Sequence, residues 1–150
     1  MLKLFEAQLE KMVALAVLAP IIASQGGNSA TQTMTVAVRA LATHELSRTN
    51  ALRVILRELA AAAVNGAAFG LLTGLIAANW FHSMGLWPVM ALAMFTNLVA
   101  GALGGILVPL ALNRFKVDPA VSSSAFVTTV TDVVGNWAFL TIASLWFHLG

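Results

Sequence analysis

The sequence predicts an all-α membrane protein, a single transmembrane domain over residues 1–150 that forms a bundle of four transmembrane helices. The first observation is composition, since 59% of the residues are hydrophobic and only 9% are charged. A soluble domain carries roughly 25% charged residues. The second observation is that the apolar residues fall into four runs, each long enough for the ~20-residue helix that crosses a bilayer. These runs and their short connections account for the whole chain.

The first two helices are expected at about residues 9–42 and 50–81. The first contains the polar stretch "PIIASQGGNSATQT", in which Pro20 and the pair Gly26 and Gly27 predict a broken or kinked helix. The second begins with the amphipathic segment "NALRVILRE". In it, Glu58 is read as a capping or interface charge, with a role at the inner mouth of a pore as the alternative.

The third and fourth helices are expected at about residues 88–113 and 119–149. The turn "HSMGLWP" precedes the third helix and carries tryptophans suited to the membrane interface. Asp118 and Pro119 are a favourable N-cap and first residue for the fourth helix. Glycines four residues apart in the second and third helices predict close helix packing; they are Gly66, Gly70, Gly74, Gly101 and Gly105.

The basic residues predict the orientation. Arginine and lysine cluster around the connections at residues 43–49 and 114–118, whereas the turn between the second and third helices has none. The positive-inside rule places both basic connections in the cytoplasm, and the N-terminus and C-terminus outside. The expected location is therefore the cell's inner membrane, with several crossings. An external N-terminus without a signal peptide also suggests that a helix precedes this chain.

A polar stripe follows one face of the first helix at spacings of three and four residues. Its members are Gln25, Asn28, Ser29, Gln32, Thr35 and Arg39. Lipid disfavours both polar side chains and a broken backbone, so the stripe predicts a water-filled path that it lines. The alternative is that these groups join helices by hydrogen bonds.

The fourth helix carries Asp132 close to its middle. A charge at the bilayer centre costs at least roughly 2.5–3.5 kcal/mol on insertion scales. No basic residue lies at the same depth in any predicted helix, so Asp132 is expected to be neutral, to face water or to hold a cation. At helical spacing from it lie Ser124, Thr128, Gly135 and Asn136. This oxygen-rich face marks a functional site.

The candidate ligands are all oxygen atoms, and this favours a hard cation over zinc or copper. The chain has no cysteine, and His44, His82 and His148 fall at predicted interfaces. Mg²⁺ usually keeps several waters and uses one or two carboxylates. Since each chain offers one carboxylate in the membrane, two copies around a twofold axis would supply two. The sequence therefore predicts a homodimer with a central pore.

Two long segments resemble a known family. "PIIASQGGNSATQTMTVAVRALA" and "DPAVSSSAFVTTVTDVVGN" are similar to the second and last transmembrane helices of the MgtE family of magnesium channels, and "LRELAAAAVNGAAFG" resembles the start of a helix between them. The likeness covers nearly the whole chain in the right order. Family members usually have five transmembrane helices and often cytoplasmic domains that sense Mg²⁺. The resemblance therefore implies that the first helix and those domains are missing here.

The resemblance also implies a function and its residues. It implies a homodimeric Mg²⁺ channel in which Asp132 holds the hydrated transported ion and the backbone carbonyl of Thr128 joins it. The stretch Gly26–Asn28 and Gln32 match the polar pore helix, and Ser124 matches a position near the cytoplasmic constriction. With the stripe and the face of Asp132, the expected pore lining is Gln25, Gly26, Gly27, Asn28, Gln32, Ser124, Gly135 and Asn136.

Two other functions remain open from the residues alone. A secondary transporter would couple protonation of Asp132 to solute movement, and it predicts flux tied to a pH gradient. A non-conducting membrane scaffold would tolerate loss of the Asp132 charge. An enzyme is not expected, since no nucleophile–base pair occurs in the spans. The expected partners are a second copy, the lipid bilayer and divalent cations, and no nucleic acid.

Overall fold

The computed structural model describes residues 2–44, 50–118 and 124–147; the side chains of residues 2–12 and of Ser124 lie outside that description. Within these ranges all regular structure is α-helical. The helices are α1 (Leu2–Ala42), α2 (Ala51–Trp80), α3 (Leu86–Arg114) and α4 (Ser124–Phe147). Each contains a segment long and apolar enough to cross a membrane. The structure thus agrees with the expected all-α fold, and its four long apolar helices are compatible with a transmembrane bundle.

The helix ends differ from the expected ones by a few residues. Helix α1 begins at Leu2 rather than near residue 9. The third helix begins at Leu86, so Pro88 is its third residue. Proline is tolerated there because the N–H groups of the first turn have no acceptor within the helix. The expected start of the fourth helix at Pro119 lies outside the described residues.

The predicted break in the first helix is absent. Helix α1 is continuous through Pro20 and through Gly26 and Gly27. Within a bilayer an unbroken helix satisfies its own backbone polar groups, and this outweighs the low helix propensity of the two glycines. Both glycines are buried, and they serve close packing against the neighbouring helices.

Helix α3 lies at the centre of the bundle and packs against the other three helices. Its contact with α2 is backbone to backbone, as the glycine spacing predicts. A Cβ atom on Gly66 would lie 2.9 Å from Phe95 Cα, and one on Gly74 would lie 2.7 Å from the Trp87 carbonyl oxygen. Helix α2 scarcely touches α1. It is therefore an outer helix attached through α3.

The remaining helices, α1, α3 and α4, pack on one another around a common core. On α3 the core contains Met90 and Met94, and on α4 it contains Phe139, all fully buried. Polar bonds between α1 and α3 include the Ser29 hydroxyl donating to the Leu98 carbonyl at 3.0 Å and the Asn97 amide donating to the Ile22 carbonyl at 2.6 Å. This three-helix layer positions the polar residues of α1 and α4 side by side.

Candidate functional site

A groove runs between α1 and α4 and has a volume of about 390 Å³. Both helices contribute small and polar side chains to it. The lining residues are Pro20, Ala23, Ser24, Gly27, Asn28, Thr31, Thr128 and Asp132.

Helix geometry explains this lining. Each lining residue of α1 has another three or four positions away, and Thr128 and Asp132 are one turn apart on α4. Ala23 and Gly27 have almost no side chain, so α4 lies against α1 there without filling the space beside it. A Cβ atom on Gly27 would lie 2.9 Å from Thr128 Cγ2. Small residues at the contact and polar residues beside it therefore leave an open, polar groove.

Asp132 is the acidic residue of the groove and is half-buried, whereas Asn28 and Ser24 on the opposite helix are exposed. Two hydroxyls near Asp132 on α4, those of Thr129 and Thr131, donate to helix carbonyls. Thr129 Oγ1 donates to the Ala125 oxygen at 2.9 Å, and Thr131 Oγ1 donates to the Thr128 oxygen at 2.8 Å. The Thr128 carbonyl, which the resemblance implies as an ion contact, thus already accepts a side-chain hydrogen bond.

The oxygen atoms of the groove suit a hydrated hard cation. Among the described residues no group of three or more histidine, cysteine, aspartate or glutamate side chains could hold a metal ion. A bare ion would therefore be poorly coordinated by one chain. Six waters around an octahedral Mg²⁺ occupy about 180 Å³, at roughly 30 Å³ each. The groove, at about 390 Å³, has room for an ion with that shell.

The structure brings together part of the predicted site. Gly27, Asn28, Thr128 and Asp132 share the groove. Three other predicted residues are outside its lining, namely Gln25 and Asn136, both half-buried, and the exposed Gln32. The side chain of Ser124 lies outside the described residues.

Two further predicted lining residues lie outside the groove of the single chain. Gly26 and Gly135 are buried, and neither lines the groove. Each packs against Asn97 of α3. Their lack of a side chain serves a contact between helices, because adjacent residues on a helix point about 100° apart and Gly26 turns toward α3 when Gly27 faces α4.

Other groove residues did not emerge from the sequence. Pro20, Ala23, Ser24 and Thr31 line it, and the available signal was their helical spacing of three, four or seven residues from Gly27. Asn97 gave no comparable signal, since it is a single asparagine in a strongly apolar helix. Glu58 is half-buried on α2, which contributes no residue to the groove.

Comparison with known proteins gives consistent matches. Residues 19–142 match the sequence model of the MgtE family, described as a divalent cation transporter. The magnesium transporter MgtE of Bacillus subtilis (strain 168) is 31% identical over 144 residues, which are 96% of this chain and 32% of the relative. Those of Enterococcus faecalis and Thermus thermophilus are 33% and 34% identical over 96% and 94% of this chain. The chain spans about a third of the length of these relatives.

Proposed function

This chain belongs to the MgtE family of divalent cation transporters, and from that premise we propose that it forms the pore of a Mg²⁺-selective channel. Hydrated cations would pass between paired α1 and α4 helices of a homodimer. The observation that carries this proposal is the groove in which Asp132 and Thr128 of α4 meet Gly27 and Asn28 of α1.

The groove also supports the homodimer. Asn28 and Ser24 are exposed on a helix that is apolar enough to cross a membrane, and lipid is a poor solvent for such groups. A second copy, related by a twofold axis beside the groove, would enclose these polar groups in a shared path. It would also bring a second Asp132 carboxylate to the ion. Two carboxylates and a retained water shell match the usual binding of Mg²⁺.

Asp132 would hold the ion without stripping its water. The Thr128 carbonyl already accepts the Thr131 hydroxyl, so its contact with the ion would be made through water. A site of this kind binds strongly enough to attract a divalent cation and weakly enough to release it.

The charged helix ends support an orientation. Arg53 and Arg57 at the start of α2, and Arg114 and Lys116 at the end of α3, are all exposed. In a bundle of four successive crossings these ends lie on the same side of the membrane, together with Arg39 at the end of α1. We take this side as the cytoplasmic face of the cell's inner membrane, with the C-terminus outside.

Mg²⁺ uptake into liposomes that contain the chain tests this function. Uptake by the unmodified chain is compared with Asp132→Asn, which removes the charge at nearly constant shape, with and without a pH gradient. Asp118→Asn makes the same change at an exposed position beyond α3 and is the control. Uptake that needs Asp132 but not the gradient supports the channel. Uptake that needs the gradient indicates proton coupling, and equal uptake by Asp132→Asn contradicts the proposed site.

Native mass spectrometry of the chain in detergent micelles tests the homodimer. The proposal requires a species with the mass of two chains. This dimer must persist at the protein concentrations at which uptake is measured. A monomer with full uptake would show that one groove conducts alone, and this would overturn the shared path.

A further inference from the structure

Asn97 of α3 lies where the three packed helices meet, directly beside the groove. Its side chain is fully buried. A Cβ atom on Gly26 of α1 would lie 2.5 Å from Asn97 Cγ, and one on Gly135 of α4 would lie 2.6 Å from it. The carboxamide therefore fills a notch between the backbones of the two helices that form the groove.

Packing alone does not account for an asparagine at this point. Asn97 Nδ2 donates to the Ile22 carbonyl of α1 at 2.6 Å, while Asn97 Oδ1 is buried and has no hydrogen-bond partner among the described residues. A leucine would fill a similar volume. It would also avoid the unpaired buried oxygen of the asparagine, and an unpaired buried polar group lowers stability. The amide instead provides a directed bond to the turn of α1 that leads into the groove.

Along α1, the residues that contact Asn97 are immediate sequence neighbours of residues that line the groove. Ile22, which accepts its hydrogen bond, precedes the lining residue Ala23, and Gly26 precedes the lining residue Gly27. On α4, Gly135 follows Asp132 by three residues, slightly less than one turn. A displacement at Asn97 would therefore move the α1 lining and Asp132 relative to each other.

We propose that Asn97 is a positioning residue whose carboxamide sets the separation of α1 and α4, and thereby the place of the Asp132 carboxylate relative to the α1 side of the groove. The expected effect of Asn97 on ion binding rests on the proposed function, whereas its effect on the separation of α1 and α4 does not. The residue acts through the two backbones it contacts, and it is not itself part of the groove lining.

A distance measurement tests the helix separation directly. The chain has no cysteine, so Val17→Cys on α1 and Val133→Cys on α4, both exposed, accept a pair of spin labels without background. Labelled chains are diluted with unlabelled chains so that only distances within one chain are measured. Asn97→Leu should shift or broaden the distance distribution. The control Asn79→Leu should not, since Asn79 is exposed on α2 and its amide donates to Leu75 of the same helix.

Uptake measurements test the consequence for the ion. Asn97→Leu is expected to raise the half-saturating Mg²⁺ concentration by roughly tenfold, because small displacements of binding groups have large effects. Asn97→Asp keeps the shape but loses the donor to Ile22, and it should shift that concentration in the same direction. A merely structural role would lower the amount of folded protein, and hence the maximal rate, with the half-saturating concentration unchanged.

The two measurements separate the possible failures. An unchanged distance distribution in Asn97→Leu overturns the positioning role, whatever the uptake. A changed distribution with an unchanged half-saturating concentration overturns the link to the ion. If the parent chain takes up no Mg²⁺, the proposed function fails while the distance measurement still decides the role of Asn97. Where Asn97→Leu does not fold, Asn97→Asp takes its place in both measurements.

Discussion

Gly27 of α1 and Thr128 of α4 are in direct contact, so that a Cβ atom on Gly27 would lie 2.9 Å from Thr128 Cγ2. Both residues line the groove, together with Asn28 and Asp132. The separation of α1 and α4 beside the groove therefore depends on a glycine packed against a branched side chain.

Gly27→Ala is expected to push α1 and α4 apart and to reduce Mg²⁺ uptake. Overpacking of this kind typically costs about 1–3 kcal/mol, and the low end applies here because the opposing atom is a side-chain methyl group. Thr128→Ser removes that methyl group and keeps the backbone, so the double variant should recover most of the uptake. A double variant no better than Gly27→Ala alone would show that this contact does not set the groove.

The glycine contact between α2 and α3 predicts a contrast in stability. A Cβ atom on Gly70 would lie 2.8 Å from the carbonyl oxygen of Ala91 and 3.0 Å from its Cα, and neither backbone atom can move without shifting a helix. Gly70→Ala should destabilise the bundle by about 1–3 kcal/mol. On Gly104 the nearest atom, Val127 Cγ1, is 3.9 Å away. Gly104→Ala should be neutral or stabilise by up to ~1 kcal/mol, since alanine restricts the unfolded chain.

Thermal unfolding of the two alanine variants in the same detergent checks this contrast. The midpoint of Gly70→Ala should fall clearly below that of the parent, and that of Gly104→Ala should equal or exceed it. Equal unfolding midpoints for the two variants would mean that α2 and α3 pack less closely than the structure shows.

Ser29 is expected to contribute to stability rather than to ion binding. Ser29→Ala removes the hydrogen bond to Leu98 of α3, and bonds between transmembrane helices average about 0.6 kcal/mol in measured cases. Thr35→Ala is the matched control, because the Thr35 hydroxyl donates to Thr31 within α1. Unfolding experiments should rank Ser29→Ala as the less stable variant, with the half-saturating Mg²⁺ concentration the same in both. A change of that concentration in Ser29→Ala would place Ser29 in the ion path.

The general fold followed from the sequence because long apolar runs in a bilayer have few alternatives to helix. The sequence also singled out Asp132, since a carboxylate in the middle of an apolar helix is costly, and Thr128 one turn before it. Both line the groove, and their contact with an ion stays a prediction. The interruption of α1 was predicted wrongly. Gly26 and Gly27 indicated a break, yet both are in a continuous helix and are used for close contacts with α3 and α4.

The face that α1 turns to α4 could not be predicted from α1 alone. Its polar residues cover more than one face: the sequence indicates the stripe through Gln25 and Gln32, whereas Ser24 and Thr31 on the neighbouring stripe line the groove. Which stripe meets α4 depends on how Gly26 and Gly101 let α1 approach α3, where a Cβ atom on Gly101 would lie 2.5 Å from the Gly26 carbonyl oxygen. Such tertiary contacts have no signature in the pattern of one helix.

The most direct test of the central claim is whether the groove faces water and Mg²⁺. In this cysteine-free chain, Ser24→Cys places a thiol in the groove with almost no change of shape, and Val64→Cys places one on the exposed outer face of α2. The rate of reaction with a membrane-impermeant, charged thiol reagent is measured for both in liposomes. We predict that Ser24→Cys reacts, that Mg²⁺ slows its reaction, and that Val64→Cys, which faces lipid, does not react. A Ser24→Cys thiol as unreactive as Val64→Cys, or one indifferent to Mg²⁺, would contradict the assignment of this groove as the cation path.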